Sequence, residues 1–169
     1  MDEYLSFLIY SYFRNSVFDF VSLILSIFFS TSFLLSFTFV YWFIRMDRKG
    51  FFVFSSFLLN NSAIFLLKTI FARPRPLYGA GEMFFSFPSA HASNSFFLAV
   101  LFSHYFPKKK HIAYALALMV SLSRVYNGTH YFSDVLFGGL FGYFFAHICL
   151  KHSHVFDNLF NCAKNKLRL

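Results

Sequence analysis

The sequence predicts an all-α integral membrane protein, a helix bundle of five to six transmembrane helices that forms a single domain over residues 1–169. Hydrophobic residues make up 57% of the chain and aromatic residues 24%, whereas only 13% of the residues are charged. A soluble domain has about 45–50% apolar and about 25% charged residues. The apolar residues also form runs long enough to cross a bilayer. Together these observations exclude a soluble or disordered protein.

Five segments approach the length of about 20 mostly apolar residues that a bilayer core requires. They are residues 22–44, 51–72, 89–106, 111–126 and 134–150. Residues 4–13 are apolar but too few to cross comfortably, so residues 1–20 are expected to form an interfacial helix, with a sixth span as the alternative. Residues 151–169 are expected to form a basic cytoplasmic tail.

The positive charges indicate how the bundle is oriented. Ten lysines and arginines lie at one end of the predicted spans: Arg45, Arg48, Lys49, Lys108, Lys109, Lys110, Lys151, Lys164, Lys166 and Arg168. The positive-inside rule makes that end cytoplasmic. The net charge is +8, but the basic residues are divided between two membrane faces, so a nucleic-acid partner is not expected.

Four further cations break this pattern, because they lie at the opposite, outer end of the bundle. They are Lys68, Arg73, Arg75 and Arg124. Cations at this position are costly unless an anionic group meets them. Anchoring to lipid headgroups would explain any one of them, whereas all four together favour an anionic ligand. Arg73 is expected to touch a second phosphate, a headgroup or only the interface.

The third predicted span begins near the same outer end. Pro88 stands just before Ser89, Ala90 and His91, and proline is favoured in the first turn of a helix. Free N–H groups there, at Ser89 and Ala90, would form an anion site. His91 lies one turn in, facing the same pocket, although an interfacial histidine is the alternative for this residue alone.

A second histidine precedes the last predicted span. His130 and Asp134 are four residues apart, so they share one face if the fifth helix starts near His130. The carboxylate would hold the imidazole in one tautomer. A nucleophile or base with a second histidine as acid, surrounded by cations, suits phosphoryl transfer. Asp134 and Glu82 are the only carboxylates in this region, too few to hold Mg²⁺, so neither a metal nor a cofactor is expected.

At these residues the sequence resembles the type 2 phosphatidic acid phosphatase superfamily. Residues 68–76 resemble its Lys-x6-Arg-Pro motif, residues 88–91 its Pro-Ser-Gly-His motif, and residues 123–134 its Ser-Arg-x5-His-x3-Asp motif. Every defining position agrees except Ala90, which replaces the usual glycine. Alanine would cost about 1 kcal/mol if the backbone there needed a positive φ. It would cost nothing if the residue lies in the first turn of a helix, and this second conformation is the one that we expect.

The resemblance implies an all-α fold with its site at the outer membrane surface, and it implies a role for each matched residue. His130 is expected to be the nucleophile that forms a phosphohistidine, Asp134 to orient it, and His91 to protonate the leaving oxygen. The expected phosphate-binding set is Lys68, Arg75, Arg124, Ser89 and Ala90.

The resemblance therefore implies a metal-independent lipid phosphate phosphatase in the bacterial inner membrane, with several spans and its active site on the periplasmic face. Lipid A 1-phosphate is the preferred substrate, and undecaprenyl diphosphate, phosphatidylglycerophosphate and phosphatidic acid are the alternatives. Two other functions remain as alternatives: a lipid phosphotransferase, and a non-catalytic protein that binds lipid headgroups. The sequence does not predict the oligomeric state.

Small and polar residues inside the spans predict how the helices pack. Asn60 and Asn61 lie within the second span and are expected to form interhelical hydrogen bonds. Gly138 and Gly142 form a small-xxx-small pair in the last span, which favours close packing within the monomer.

Overall fold

A computed structural model describes residues 1–79 and 85–167. It contains eight α-helices: α1 (Asp2–Tyr12), α2 (Ser16–Phe28), α3 (Thr31–Arg45), α4 (Arg48–Phe71), α5 (Ala90–Tyr105), α6 (Lys110–Tyr126), α7 (Phe132–Lys151) and α8 (Ser153–Leu167). A 3₁₀ turn, Pro107–Lys109, joins α5 to α6. No strand occurs in these two ranges, so the predicted all-α class is confirmed. Glu82 and Arg168 lie outside the described residues.

Two of the described helices, α4 and α7, are long and apolar enough to cross a membrane, with 24 and 20 residues. Helices α2 and α3 meet the same criterion only as a pair, bent by 47°. Helices α5 and α6 are shorter, with 16 and 17 residues. By length and composition the described helices thus provide two spans, or three if the bent pair is one span.

The prediction of residues 22–44 as one continuous helix is wrong, because the helix is interrupted between Phe28 and Thr31. The N–H groups of Phe29 and Ser30 close α2 by donating to the carbonyls of Leu25 and Ile27. The hydroxyl of Ser30 then accepts from the N–H of Phe33 at 3.3 Å and caps α3. Serine competes with the helix ladder in this way, which ends one helix and begins the next.

Helix α4 has a cap at each end, and these caps set its length. It begins at Arg48 because the carboxylate of Asp47 accepts from the N–H of Gly50 at 2.7 Å, which lowers the pKa of Asp47 below its ordinary value. It ends at Phe71, and Ala72 follows in the left-handed region with φ 45°. Pro74 disfavours the helical conformation just before it, so the chain leaves the helix here.

Helix α5 packs against α7 through two glycines. A Cβ on Gly138 would lie 2.5 Å from the carbonyl oxygen of Ser89, and a Cβ on Gly142 would lie 2.1 Å from that of Ser93. Both distances are too short for any side chain, so the backbones approach closely only because glycine stands there. The predicted close packing of this pair within the monomer is confirmed.

Buried polar side chains join α4 to α5. Nδ2 of Asn60 donates to Oδ1 of Asn94 at 2.9 Å, and Nδ2 of Asn94 donates to Oδ1 of Asn61 at 3.0 Å. The hydroxyl of Ser93 donates to Oδ1 of Asn60 at 3.1 Å. The predicted interhelical hydrogen bonds of Asn60 and Asn61 are therefore present, and Asn61 also lines a cavity at this end of the bundle.

An apolar core fills the opposite end of the bundle. The ring of Phe156 on α8 packs edge-on against Phe52 of α4, with the ring centroids 5.1 Å apart. Phe57 and Phe97 are fully buried in the same cluster. The basic tail expected from the sequence is thus a helix from Ser153 onward, and one of its aromatic residues is buried in the bundle.

Candidate active site

A cavity of about 720 Å³ opens between the end of α4 and the start of α5. Five of the expected catalytic and phosphate-binding residues line it: Lys68, Arg75, Ala90, His91 and His130. The remaining wall includes Thr31 and Asn61, together with the apolar side chains of Ile64 and Phe65. The cavity therefore has a cationic end beside the histidines and an apolar flank along α4.

Lys68 and Arg75 reach the cavity from different pieces of the chain. Lys68 lies in the last turn of α4, and its Nζ donates to the carbonyls of Phe85 at 2.5 Å and Ser86 at 3.3 Å. The helix stops at Phe71, so Arg75 is carried by the segment after it. The two cations therefore reach the same cavity through this turn and not along a continued helix.

Arg75 contacts the imidazole of His130 directly. Its Nη1 donates to the carbonyl of Thr129 at 2.7 Å and lies 3.4 Å from Nε2 of His130. A guanidinium can only donate, so this contact favours a lone pair on Nε2 and a proton on Nδ1. Nδ1 lies 3.5 Å from Oδ2 of Asp134, which is longer than an ordinary hydrogen bond.

His130 is neutral at physiological pH. Only 3% of its side chain is exposed, and this burial, assisted by the charges of Arg75 and Lys68, lowers its pKa to about 4, although Asp134 acts in the opposite direction. A neutral imidazole with its free lone pair toward two cations can attack an electrophile bound between them.

Asp134 is fully buried behind His130. Its Oδ2 accepts from the N–H of Tyr131 at 2.9 Å, and its Oδ1 accepts from Nη1 of Arg73 at 2.6 Å. Helix α7 begins at Phe132, two residues later than expected. His130 and Asp134 still meet, because Asp134 is in the first turn of the helix and its carboxylate turns back toward the preceding residues.

Ser89 does not offer the free N–H group expected from the sequence, because that group donates to the backbone carbonyl of Asp134 at 3.0 Å. Ser89 is fully buried and caps α5, with its Oγ 3.5 Å from the N–H of Ala92. The first N–H groups of a helix have no acceptor within it. Those of Ala90 and His91, the two α5 residues that line the cavity, are the better candidates for anion binding.

Ala90 is the first residue of α5, with an ordinary helical backbone. The described residues with positive φ are Met46, Ala72 and Gly128. The replacement of the motif glycine by alanine therefore causes no backbone strain here.

Arg124 lies behind the cavity and does not line it. Its side chain is buried, and its Nη2 donates to the hydroxyl of Ser26 on α2. The carbonyl of Ser26 also lies 3.4 Å from Nε2 of His91. Because a carbonyl can only accept, this contact favours a proton on Nε2 of His91.

Sequence reasoning missed Ser26. The only signal was the spacing of Ser22 and Ser26, which places two hydroxyls on one face of α2. That face packs against the third motif, where Ser22 donates to Oδ1 of Asn127 at 2.7 Å.

The family model described as PAP2 superfamily matches residues 49–156, which include all three motifs. A comparison with curated protein sequences finds no significant match. Two solved structures are similar to this chain over most of its length. One is described as the first transmembrane PAP2 type phosphatidylglycerolphosphate phosphatase from Bacillus subtilis; it has a TM-score of 0.77 and 26% identity, covering 90% of this chain and 84% of that one. The other is LpxE of Aquifex aeolicus, with a TM-score of 0.75 and 25% identity, covering 89% of this chain and 94% of that one.

Proposed function

Because this chain belongs to the PAP2 superfamily and is a lipid phosphatase, we propose that it hydrolyses the phosphate of a membrane lipid without a metal, through a phosphohistidine at His130. The observation that carries the proposal is the contact of Arg75 with Nε2 of His130 at 3.4 Å. It supports a neutral, buried imidazole whose lone pair faces the cations of the cavity.

In the first step Nε2 of His130 attacks phosphorus, and the phosphorus–oxygen bond to the lipid breaks. The leaving oxygen takes a proton from His91. Lys68 and Arg75 neutralise the charge on the phosphoryl oxygens, and positioning with charge neutralisation supplies most of the catalysis in phosphoryl transfer. Asp134 stabilises the cationic character that develops on the imidazole of His130.

In the second step a water molecule attacks the phosphohistidine. The bond between Nε2 of His130 and phosphorus breaks, which restores the lone pair, and His91 takes the proton of the water. The products are inorganic phosphate and the dephosphorylated lipid. If an acceptor lipid replaces the water, the same intermediate makes the protein a phosphotransferase.

We place lipid A 1-phosphate first among the substrates, because the sequence resembles the compact bacterial members of the superfamily. The likeness to the Bacillus subtilis structure supports phosphatidylglycerophosphate as an alternative, and undecaprenyl diphosphate is another. We further propose that the protein lies in a bacterial inner membrane with the site on the periplasmic face, which the basic residues at the other end of the bundle support.

The test is phosphate release by the detergent-purified protein from these lipids, with EDTA present. We expect release by the wild type and by His111→Ala, an exposed histidine on α6, but not by His130→Ala. Loss of activity in EDTA would contradict metal independence. Release that His130→Ala leaves unchanged, or no release at all, would instead favour a protein that only binds lipid headgroups.

Transfer of phosphate to an added acceptor lipid distinguishes a phosphatase from a phosphotransferase. A phosphatase releases inorganic phosphate at the same rate with or without the acceptor, whereas a phosphotransferase forms phosphorylated acceptor in its place.

A further inference from the structure

Arg73 joins two carboxylates that are far apart in the sequence. Its Nη1 donates to Oδ1 of Asp134 at 2.6 Å, and its Nη2 donates to Oδ2 of Asp2 at 2.8 Å. Nη1 also donates to the hydroxyl of Ser133 at 2.7 Å, and the guanidinium lies 4.0 Å from the ring centre of Tyr131. Nη1 is thus engaged by two residues in the first turn of α7, and Nη2 by the first residue of α1.

Helix α1 caps that same turn. Oδ1 of Asp2 accepts from the N–H of Ser133 at 3.0 Å, and the hydroxyl of Ser6 accepts from the N–H of Phe132 at 2.9 Å. The hydroxyl of Ser133 donates to Oδ2 of Asp2 at 2.5 Å. Free N–H groups at a helix start are commonly satisfied by such side chains, but here the caps come from residues more than a hundred positions away.

The charges of this network support an ionised Asp2. Burial alone would raise its pKa, but hydrogen bonds from Ser133 and Arg73 hold the pKa of Asp2 below its ordinary value. The pKa of Arg73 is raised by Asp2 and Asp134 against the opposing effect of burial. One guanidinium therefore lies between two carboxylates, and a fork of donors suits that arrangement.

These contacts fix the orientation of the Asp134 carboxylate. Arg73 holds Oδ1 and the N–H of Tyr131 holds Oδ2, so the plane of the carboxylate cannot rotate without breaking one of them. Oδ2 is left facing Nδ1 of His130. Without Arg73, the buried carboxylate would lose the partner of Oδ1 and would be free to turn away from the imidazole.

We propose that Asp2 and Arg73 form a clasp that positions Asp134 against His130, so that helix α1 completes the active site. Arg73 is then a positioning residue and not a ligand of a second phosphate or a headgroup. This inference rests on the proposed role of His130 as nucleophile.

The test compares Arg73→Ala with Arg14→Ala, because Arg14 also forms an ion pair with an aspartate, at 3.1 Å to Asp19, but is half-exposed and outside the network. We expect Arg73→Ala to lower kcat about 100-fold, the size of effect that misplacement of a catalytic group by about 1 Å can have, with KM changed less than about threefold. Arg14→Ala is expected to keep the wild-type kcat. Added guanidinium should restore part of the activity of Arg73→Ala, whereas Arg73→Lys should restore little, since an ammonium lacks the rigid fork.

Asp2→Asn tests the other half of the clasp, because it keeps the shape of the side chain and removes its charge. We expect kcat to fall about tenfold, less than for Arg73→Ala, and we expect no further fall when Asp2→Asn is added to Arg73→Ala, since coupled residues are not additive. A full additional loss in the double variant would overturn the clasp.

Two kinetic results would overturn the role of Arg73. A raised KM at unchanged kcat would make it a substrate ligand, and unchanged kcat and KM with a lower melting temperature would make it purely structural.

If the wild type hydrolyses none of the lipids, the proposed function fails, and orthovanadate, which mimics a five-coordinate phosphoryl group, then tests the clasp by binding. We expect Arg73→Ala to weaken vanadate binding about tenfold and Arg14→Ala to leave it unchanged. Equal affinity in both variants would overturn the proposal.

Discussion

Nη1 of Arg75 lies 3.4 Å from Nε2 of His130, so a cation stands directly beside the nitrogen that is proposed to attack phosphorus. The guanidinium serves two purposes in this arrangement. It favours the imidazole tautomer with the lone pair toward the cavity, and it lies where it can also bind the oxygens of an incoming phosphoryl group.

Replacing Arg75 by lysine should therefore lower the rate of hydrolysis although the positive charge is kept. The ammonium keeps the positive charge but lacks the planar fork that pairs with phosphoryl oxygens. We expect kcat/KM for lipid phosphate hydrolysis to fall about 10²–10³-fold, the usual cost of one donor to the transition state. Arg45→Lys is the matched control, since Arg45 pairs with Asp47 elsewhere in the bundle, and it should leave kcat/KM unchanged. An Arg75→Lys variant within threefold of the wild type would show that charge alone suffices.

Asp134→Asn tests the orientation of the imidazole. Both carboxylate oxygens accept hydrogen bonds, from Arg73 and from the N–H of Tyr131. An amide must turn its NH₂ group toward one of these donors, which removes an acceptor and favours the wrong tautomer of His130. We expect kcat to fall about 10²–10⁴-fold, as for the equivalent change in a serine protease triad.

Asp157→Asn, on α8 and outside the candidate site, is the control for the loss of a carboxylate. Single-turnover rates of phosphate release measure the effect on chemistry. A drop of less than tenfold for Asp134→Asn would mean that Asp134 contributes packing and not orientation.

The sequence predicts the parts of the site that follow local rules. His130 and Asp134 are four residues apart, and the predicted meeting of the two side chains occurs, although His130 precedes α7 and the carboxylate turns back from the first turn of that helix to reach it. Lys68, Arg75 and His91 share one cavity, as the outer position of these residues on the predicted spans indicated.

The contacts that sequence analysis missed all join distant segments. Asp2 looks like an acidic residue in the first turn of its own helix, but its carboxylate caps α7 across 131 positions. Ser26 looks like one of several serines in an apolar helix, and nothing local indicates that it meets Arg124 and His91. The N–H of Ser89 was expected to be free because the approach of α7, which supplies its acceptor, has no local signal. Tertiary packing decides all three contacts.

The pH dependence of hydrolysis should reflect the low pKa of His130. Burial, Arg75 and Lys68 lower the pKa of His130 to about 4 against the effect of Asp134, so the neutral, nucleophilic form persists well below pH 6. We expect the acidic limb of kcat/KM, which reports the free enzyme, to lie below about pH 5.

Initial rates across a buffer series, with circular dichroism to show that the protein stays folded, measure this profile. An acidic limb near the ordinary histidine pKa of about 6.5 would contradict the neutral, buried nucleophile.

The glycines of α7 should control both stability and activity. A Cβ at Gly142 would meet the carbonyl oxygen of Ser93 at 2.1 Å, so α5 and α7 must separate to accommodate it, whereas a Cβ at Gly139 meets the ring of Phe96 at 3.0 Å. Since an aromatic side chain can move more easily than backbone, we expect Gly142→Ala to lower the free energy of unfolding by about 1–3 kcal/mol. Gly139→Ala is the matched control and should cost less.

Gly138→Ala tests whether the contact between α5 and α7 also sets the geometry of the site. Its Cβ would lie 2.5 Å from the carbonyl oxygen of Ser89, the residue that caps α5 and donates its N–H to the backbone of Asp134. Displacing Ser89 also displaces Ala90 and His91, so we expect kcat to fall about tenfold or more, with thermal unfolding in detergent reporting the change in stability separately. Wild-type kcat in a destabilised Gly138→Ala protein would show that the contact between α5 and α7 supports the fold alone and does not set the geometry of the acid.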